Sequence, residues 1–381
     1  MSIKPKILVT SAAGKTGLQT ALQLLEKGYP VRAFIRRDDH RARRLKEAGA
    51  ELFLGDQFAL ADMRRAMKGV QRAYHCAPTA PNGLHFGSVF AIAAQENRVE
   101  HVVTLSQWLS HSDHPSVYTR EVWLNDAILN LLPDTTVTVN NVGWFADNYF
   151  MVLEPAAQLG LLTMPLGDGN IKGNAPPSTE DIAAVSVGAL IDPATHAGKT
   201  YRPTGPALLS PNDIAAVLST VLDRKVKYQN ISEAMFLKAL TALQPPGFTE
   251  ATLTQLRLYT EEYRRGAFAV SAPTDAVQVV GGREPEDFET IARRYAASRP
   301  EAVRTPANKL RAIRNFIRIL ATAKPDPDRI ERQLNHVLLE SPTFARESTE
   351  WRHYHQSGTE AAFGIPRQSL DDGVVPVRAI N

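Results

Sequence analysis

The sequence predicts an α/β protein: a Rossmann-type doubly wound parallel sheet, a smaller and mostly helical C-terminal lobe, and a C-terminal helical extension. Three observations predict it. Short apolar strands alternate with helical segments up to about residue 145. The first strand runs into a turn of small residues, Ser11-Ala12-Ala13-Gly14-Lys15-Thr16-Gly17, that opens a helix. Small or polar residues (Arg36, Gly55, Ala77 and Ser106) follow successive strands, at the carboxyl edge where such sheets bind ligands.

Residues 7–9 are apolar and read as a buried strand. Residues 18–27 follow as a helix with Leu18, Leu22 and Leu25 on one face, ended by Gly28. Strands are expected over 31–35, 51–54, 72–76, 101–105 and 136–139, with helices between them over 38–48, 60–67, 86–95 and 122–131. Beyond residue 146 the pattern is less regular. Residues 181–191 read as a helix, and Ser210-Pro211-Asn212-Asp213 is a helix start with a serine cap and proline in the first turn. A short strand over 226–228 and helices within 233–243, 248–266 and 286–297 complete the lobe. Residues 306–322 read as a helix that Pro325 and Pro327 break, with helix resuming over 328–340, whereas 366–381 has no helical period. The chain thus divides into a dinucleotide-binding region over 1–150, a substrate-side lobe over 151–300 interleaved with the sheet, and the extension over 301–381.

Composition removes several function classes. No apolar stretch of about 18 residues exists, so no membrane span is expected. The N-terminus runs straight into the first strand without an apolar leader, and secretion is not expected. Cys76 is the only cysteine, which excludes an internal disulfide and a multi-cysteine metal site and suits a reducing cytosol. A net charge of +3 is too small to imply nucleic acid. His111-Ser112-Asp113-His114 and His353-Tyr354-His355 have no third ligand at a metal-binding spacing, so surface loops and no metal are expected there. Cys76 ends an apolar strand and is expected to be buried and inert.

The first turn carries the chemistry. Gly14 and Gly17 stand three apart, as in the last two glycines of G-x-G-x-x-G, with Ser11 at the first glycine's place. Small residues let backbone approach a pyrophosphate and let the helix pack close, and the helix N-terminus offers free N–H groups to the phosphates. Thr10, Ser11, Ala13, Gly14, Lys15, Thr16 and Gly17 are therefore the expected pyrophosphate cradle. The letters Gly14-Lys15-Thr16 do not make a P-loop, because the required earlier glycine would be Val9, inside the strand. Arg36 and Arg37 follow the second strand, where arginine favours the 2′-phosphate of NADP(H) over NAD(H). Asp38 and Asp39 keep NAD(H) open. Asp56 and Gln57 are candidates for the adenine end, Ala77 and Pro78 for the passage of the cofactor, and Ser106 and Gln107 for the nicotinamide end.

The order of strand, S-A-A-G-K-T-G, R-R, G-D, A-P and L-S-Q resembles atypical short-chain dehydrogenase/reductases of the NmrA-like type. Residues 140–149, 179–183 and 198–205 are similar to later segments of that family. The resemblance implies an NADP(H)-binding reductase that delivers hydride to a conjugated small-molecule acceptor such as a quinone. It also leaves open a non-enzymatic NADP(H)-sensing regulator that controls a protein partner, since both kinds occur in the family. Conventional short-chain dehydrogenases pair a tyrosine with a lysine four residues on. Here Tyr118 is followed at that spacing by Val122, and no lysine occurs between Lys68 and Lys172. Tyr118, Ser106 and Asn148 are the catalytic candidates, and Trp144, Phe145 and Tyr149 are expected to form an apolar wall of the substrate pocket.

The resemblance stops near residue 300. In the extension Leu310, Ile313, Phe316, Ile317 and Leu320 share one helix side, flanked by basic residues. Burial of this stripe against the protein itself or against a second subunit, as a homodimer, is expected.

Overall fold

The computed structural model describes residues 4–78, 82–245 and 248–356. Its large sheet contains seven parallel strands: β1 (Ile7–Val9), β2 (Val31–Ile35), β3 (Glu51–Leu54), β4 (Arg72–His75), β5 (His101–Gln107), β6 (Thr136–Val142) and β8 (Thr200–Tyr201). Their spatial order is β3-β2-β1-β4-β5-β6-β8, so strand order reverses between β1 and β4. That reversal opens a crevice at the carboxyl edge beside the turn after β1.

Alternation along the strands builds two apolar layers. Ile7, Val9, Ala33, Ile35 and Val103 pack on the face covered by α1 (Lys15–Glu26), α2 (His40–Glu47) and a later helix over Thr179–Ile191. Leu8, Phe34, Ala73 and Val102 pack on the other face, beneath α3 (Leu60–Met67), α4 (Gly83–Glu96) and α5 (Val117–Asn130). Helix α5 begins earlier than its apolar period announces, because Ser116 caps it by accepting from the Thr119 N–H. Tyr118 is thereby helical. Strand β5 runs on through Ser106 and Gln107, paired with Asn141 and Val142 of β6.

After β6 a short 3₁₀ helix (Ala146–Val152) leads to α6 (Leu153–Leu159) and β7 (Leu161–Met164). Helices α7 (Thr179–Ile191) and α8 (Pro193–His196) return the chain to the large sheet. The lobe is completed by α9 (Pro211–Val221), β9 (Lys227–Asn230), α10 (Glu233–Leu243), α11 (Glu250–Arg264), α12 (Ala276–Val279) and α13 (Phe288–Ser298). Strands β7 and β9 pair in parallel as a separate two-stranded sheet. Ser210 and Asp213 form the full reciprocal capping box at the start of α9.

The extension folds onto both parts as α14 (Pro306–Ala321), α15 (Pro327–Gln333) and α16 (Thr349–Gln356). Helix α14 lies against α6, where Glu154 accepts from Arg311 Nε at 2.6 Å and Asn315 Nδ2 at 2.7 Å. Its apolar stripe is not buried against the protein itself, the first of the two expected alternatives: Leu310 is 68% and Ile317 59% exposed, whereas Ala312 is buried. Polar anchoring through Glu154, rather than the apolar period, sets the helix rotation. Helix α15 ends at Gln333 instead of running to 340, because Asn335 takes the left-handed conformation at φ 53° and closes the helix. Helix α16 plugs the carboxyl edge. Trp351 is fully buried edge-on to Trp108, and its Nε1 donates to the Trp108 carbonyl at 2.6 Å. Residues 366–381 lie outside the described residues. No helix among the described residues is long and apolar enough to cross a membrane.

Trp351→Ala should lower unfolding free energy by about 3–5 kcal/mol, measured by urea denaturation. A loss below about 1 kcal/mol would show that the extension is peripheral to the core.

Candidate cofactor and substrate site

The turn after β1 is braced from three directions. Thr10 is buried; its Oγ1 donates to the Tyr74 carbonyl at 2.9 Å and accepts from the Cys76 N–H at 2.9 Å, tying β1 to the end of β4. Ser11 sits at φ 49°, a left-handed position that costs a non-glycine residue about 1 kcal/mol or more. Three hydrogen bonds offset this. Ser11 Oγ donates to the Cys76 carbonyl at 2.9 Å, and Gln57 both accepts from the Ser11 N–H and donates to its Oγ, each at 3.3 Å. Gln57 is thus a brace of the cradle.

The two glycines are steric necessities. A Cβ at Gly17 would lie 2.4 Å from the Ser11 carbonyl oxygen, and one at Gly14 would lie 3.0 Å from it. Helix α1 can therefore start directly under the turn. No side chain caps it, whereas Asp39, Ser116, Ser178, Ser210, Ser232 and Thr249 cap α2, α5, α7, α9, α10 and α11. The first-turn N–H groups are left for an anion at the crevice. Ala13 is partly exposed, and Thr16 is buried with Oγ1 3.7 Å from Cys76 Sγ. Burial pushes the Cys76 thiol up to about 11, which keeps it un-ionised and inert. Lys15 reaches across to Asp147 of the 3₁₀ helix at 3.0 Å. Nothing in the local sequence pattern singles out Asp147, a buried acid whose partner stands over a hundred residues earlier.

At the end of β2, Arg36 and Arg37 are exposed, and neither forms an ion pair among the described residues. Asp39 is spoken for: Arg41 Nη2 donates to it at 2.6 Å, the Arg41 N–H donates at 2.9 Å, and these bonds hold its carboxyl well below the usual range. Asp38 is exposed. The local field therefore favours an anion. Asp56 accepts from the Phe58 N–H at 3.0 Å, a turn-forming bond, while its own N–H donates to Asp62 at 2.8 Å.

Beside the crevice is a small, partly open pocket lined by Ala77, Pro78, Gln107, Tyr118, Glu121 and Val122 among others. Gln107 is oriented by Thr119, whose Oγ1 donates to its Oε1 at 3.1 Å. The Tyr118 hydroxyl lies 2.8 Å from His336 Nε2 of the extension. Burial, aided by Glu121 and Glu331, pushes this phenol up to about 12. Val122 lines the same pocket one turn on, where a lysine would have acted in the opposite direction.

Ser106 is buried and turned into the layer beneath the sheet, where its Oγ donates to Asp126 of α5. Thr104 donates to the other oxygen of Asp126 at 3.0 Å and lies 3.0 Å from His75 Nδ1. Burial raises Asp126 from 3.8 to about 7 and lowers His75 to about 3. Asn148 is half-buried on the 3₁₀ helix, away from these residues. Trp144 and Tyr149 do not form a pocket wall. Both are fully buried in the lobe core, their rings 6.3 Å apart, and Trp144 packs also on Tyr263 and Phe268. Phe145 is partly exposed.

The histidine pairs are not surface loops. His111 and His114 are buried beneath the extension, and His355, itself on α16, is buried against Trp108 and Asn141, while His353 on the same helix is exposed. His114 Nδ1 accepts from the Ser116 N–H at 2.9 Å, so Nε2 carries the proton and donates to Glu262 at 3.2 Å. His355 Nε2 accepts from Asn141 at 3.1 Å. No group of three His, Cys, Asp or Glu among the described residues could hold a metal.

The model of the NmrA-like family matches residues 3–290, three quarters of the chain. The chain belongs to the NmrA-like family. Its relatives include an NAD(P)H azoreductase of Xenophilus azovorans, 28% identical over 77% of this chain and 98% of the relative. Another is a (4-alkanoyl-5-oxo-2,5-dihydrofuran-3-yl)methyl phosphate reductase of Streptomyces griseus, 29% identical over 76% and 98%. Among solved structures, the NADPH-dependent quinone oxidoreductase QOR2 of Escherichia coli, complexed with NADPH, superposes with a TM-score of 0.65 at 22% identity. That match covers 76% of this chain and 99% of QOR2, and shows a shared fold. The NmrA-like match ends before α14, so His336, Trp351 and His355 belong to a segment outside it.

Gly17→Ala should cost about 1–3 kcal/mol in urea unfolding, since the Ser11 carbonyl must move; a neutral effect would show that the turn is loose. Asp126 ionises near 3.8 when unfolded and at about 7 when folded. The unfolded state therefore sheds the proton first, and stability falls as pH rises between those values. Asp126→Asn should flatten that fall by roughly a few kcal/mol, measured by denaturation from about pH 4 to about pH 8. Parallel curves for the two proteins would contradict a protonated Asp126.

Proposed function

We propose that this chain is an NADP(H)-dependent reductase that delivers hydride to a small conjugated acceptor, a quinone being the representative case. The observation that carries this reading is the uncapped start of α1 at the strand-order reversal, with the exposed Arg36 and Arg37, which form no ion pair among the described residues, at one end and the Tyr118 pocket at the other. The two relatives named above are reductases by name, one of them using NAD(P)H, and they match over nearly their full length.

NADP(H) supplies the hydride. The backbone N–H groups at Lys15, Thr16 and Gly17 bind the pyrophosphate, and the Lys15 ammonium adds charge there. Arg36 and Arg37 take the 2′-phosphate through charge-assisted hydrogen bonds. Gln57 holds Ser11 in register, and Asp56 would serve the adenine end. Ala77, Pro78 and Gln107 would flank the nicotinamide, and the acceptor would enter from the pocket that Tyr118 and Val122 line. Ser106 supports this edge through Asp126, and Asn148 stands on the lobe side of it. A reducing cytosol suits the lone thiol, Cys76. The outward stripe of α14 supports association as a homodimer, because one helix face can pair with its own copy about a two-fold axis.

Arg36→Glu with Arg37→Glu should weaken NADPH binding about tenfold to a hundredfold and leave NADH binding nearly unchanged, read by fluorescence titration. Equal effects on both cofactors would remove the 2′-phosphate assignment. In the wild type, NADPH oxidation is expected with quinones or azo compounds. Tight NADPH binding without turnover of any acceptor would favour the sensing regulator instead. Light scattering of the wild type and of Leu310→Glu with Ile317→Glu should show a dimer dissociated by the substitutions; a wild-type monomer would exclude that association.

A further inference from the structure

The extension lies outside the family match, yet it reaches back to the pocket. It is delivered there by defined local structure. Asn335 ends α15 in the left-handed conformation; its N–H donates to the Arg332 carbonyl at 3.1 Å, and the His336 N–H donates to the Glu331 carbonyl at 3.0 Å. This is the helix-ending pattern in which the second residue past the helix folds back over the last turn. Arg120 of α5 then clamps the next residue. Its Nη1 donates to the His114 carbonyl at 2.6 Å, and its Nη2 donates to the Val337 carbonyl. Between these two fixtures His336 stands edge-on to Tyr118, ring planes at 87° and centroids 5.0 Å apart, with Nε2 at the hydroxyl.

A buried phenol is a poor proton donor unless its oxygen is supplied from behind as it ionises. Val122 cannot supply it. His336 is half-buried, so one edge of its ring faces Tyr118 while the residue still meets solvent. We propose that Tyr118 protonates the reduced acceptor and that His336 of the extension is the positioning residue that relays the proton to it. This rests on the reductase reading.

The balance is simple. The quinone takes up hydride, two electrons and one proton, from NADPH, which leaves as NADP⁺. The resulting oxyanion takes the Tyr118 hydroxyl proton, and the O–H bond of the phenol breaks as that of the hydroquinone forms. The Tyr118 oxygen takes the Nε2 proton of His336, and His336 takes one proton from water. The net consumption is one NADPH and one solvent proton per quinone.

The charged groups around the pair are Glu121 on α5, Glu331 on α15 and the Arg120 guanidinium, with Arg257 and Asp328 beside Glu331. Burial, with Arg120 second, holds His336 below the ordinary imidazole range. As pH falls through that lowered value His336 gains charge and becomes the stronger donor, so quinone turnover should rise.

The test compares two acceptors that differ in proton demand. Reduction of 1,4-benzoquinone needs a proton at oxygen, whereas the triarylmethane cation malachite green takes up hydride alone. In His336→Gln and in Tyr118→Phe the ratio of quinone kcat to dye kcat should fall by about tenfold or more. His336→Gln should also lose the rise of quinone turnover toward acid pH. NADPH affinity and melting temperature, measured alongside, register any purely structural damage. A wild-type ratio in both variants, or a loss shared equally by the two acceptors, overturns the relay and leaves the reductase reading standing. A wild-type protein that oxidises NADPH with neither acceptor overturns that reading, and the relay with it.

Discussion

The contact between α1 and the turn above it is the constraint on which the rest of the site depends. With a Cβ at position 17 only 2.4 Å from the Ser11 carbonyl, the helix could not begin where it does. Because Gly17 has none, the helix axis points its open N-terminus into the crevice at the strand-order reversal. Bracing follows from the same contact. Ser11 is forced into a left-handed conformation, and Gln57 and the Cys76 carbonyl hold it there. Thr10 and Thr16 fix the end of β4 against the turn, so the floor of the crevice is tied to the start of α1.

Charge is divided along the crevice in a way that matches this geometry. Near Arg36 and Arg37 the close acid, Asp39, is neutralised by Arg41 and by its own helix cap. At the other end the acids are buried and hydrogen-bonded: Asp126 holds Ser106 and Thr104, and Glu262 receives both His114 and the Ala345 N–H. A buried carboxyl that accepts from several donors holds the side chains that supply them, because breaking those bonds would strand further polar groups away from water. These networks orient α5 and α11, and through α5 they orient Tyr118 and Arg120.

The extension gives this chain a closed carboxyl edge. Trp351 and His355 fill the space beside Trp108 and Asn141, and Arg120 and His336 join the extension to the pocket. Nothing in the NmrA-like match requires these contacts, since the matched residues end at 290. They put an imidazole against the hydroxyl of Tyr118, whose neighbour four residues on is Val122, across a chain separation of 218 residues.

The sequence by itself determined what depends on neighbours in the chain. Strands β2 and β3 and helix α3 stand where their apolar periods place them, because each pattern reports its own buried face. The spacing of Gly14 and Gly17 exposed the cradle, since only a close backbone approach excludes a side chain at both positions. The exposed arginines after β2 were legible because strand ends define the carboxyl edge. Tertiary structure alone decided which distant surfaces meet. Trp144 and Tyr149 entered the lobe core, His111 and His114 were covered by the extension, and the α14 stripe faces outward while Glu154 holds the helix by its polar side. His336 stood in a segment with helical periodicity, and only the left-handed Asn335 and the reach of Arg120 set it against Tyr118. Periodicity states that a face is apolar or polar; the partner that face receives is fixed by packing across the whole chain, where shape and hydrogen-bond satisfaction outweigh local pattern.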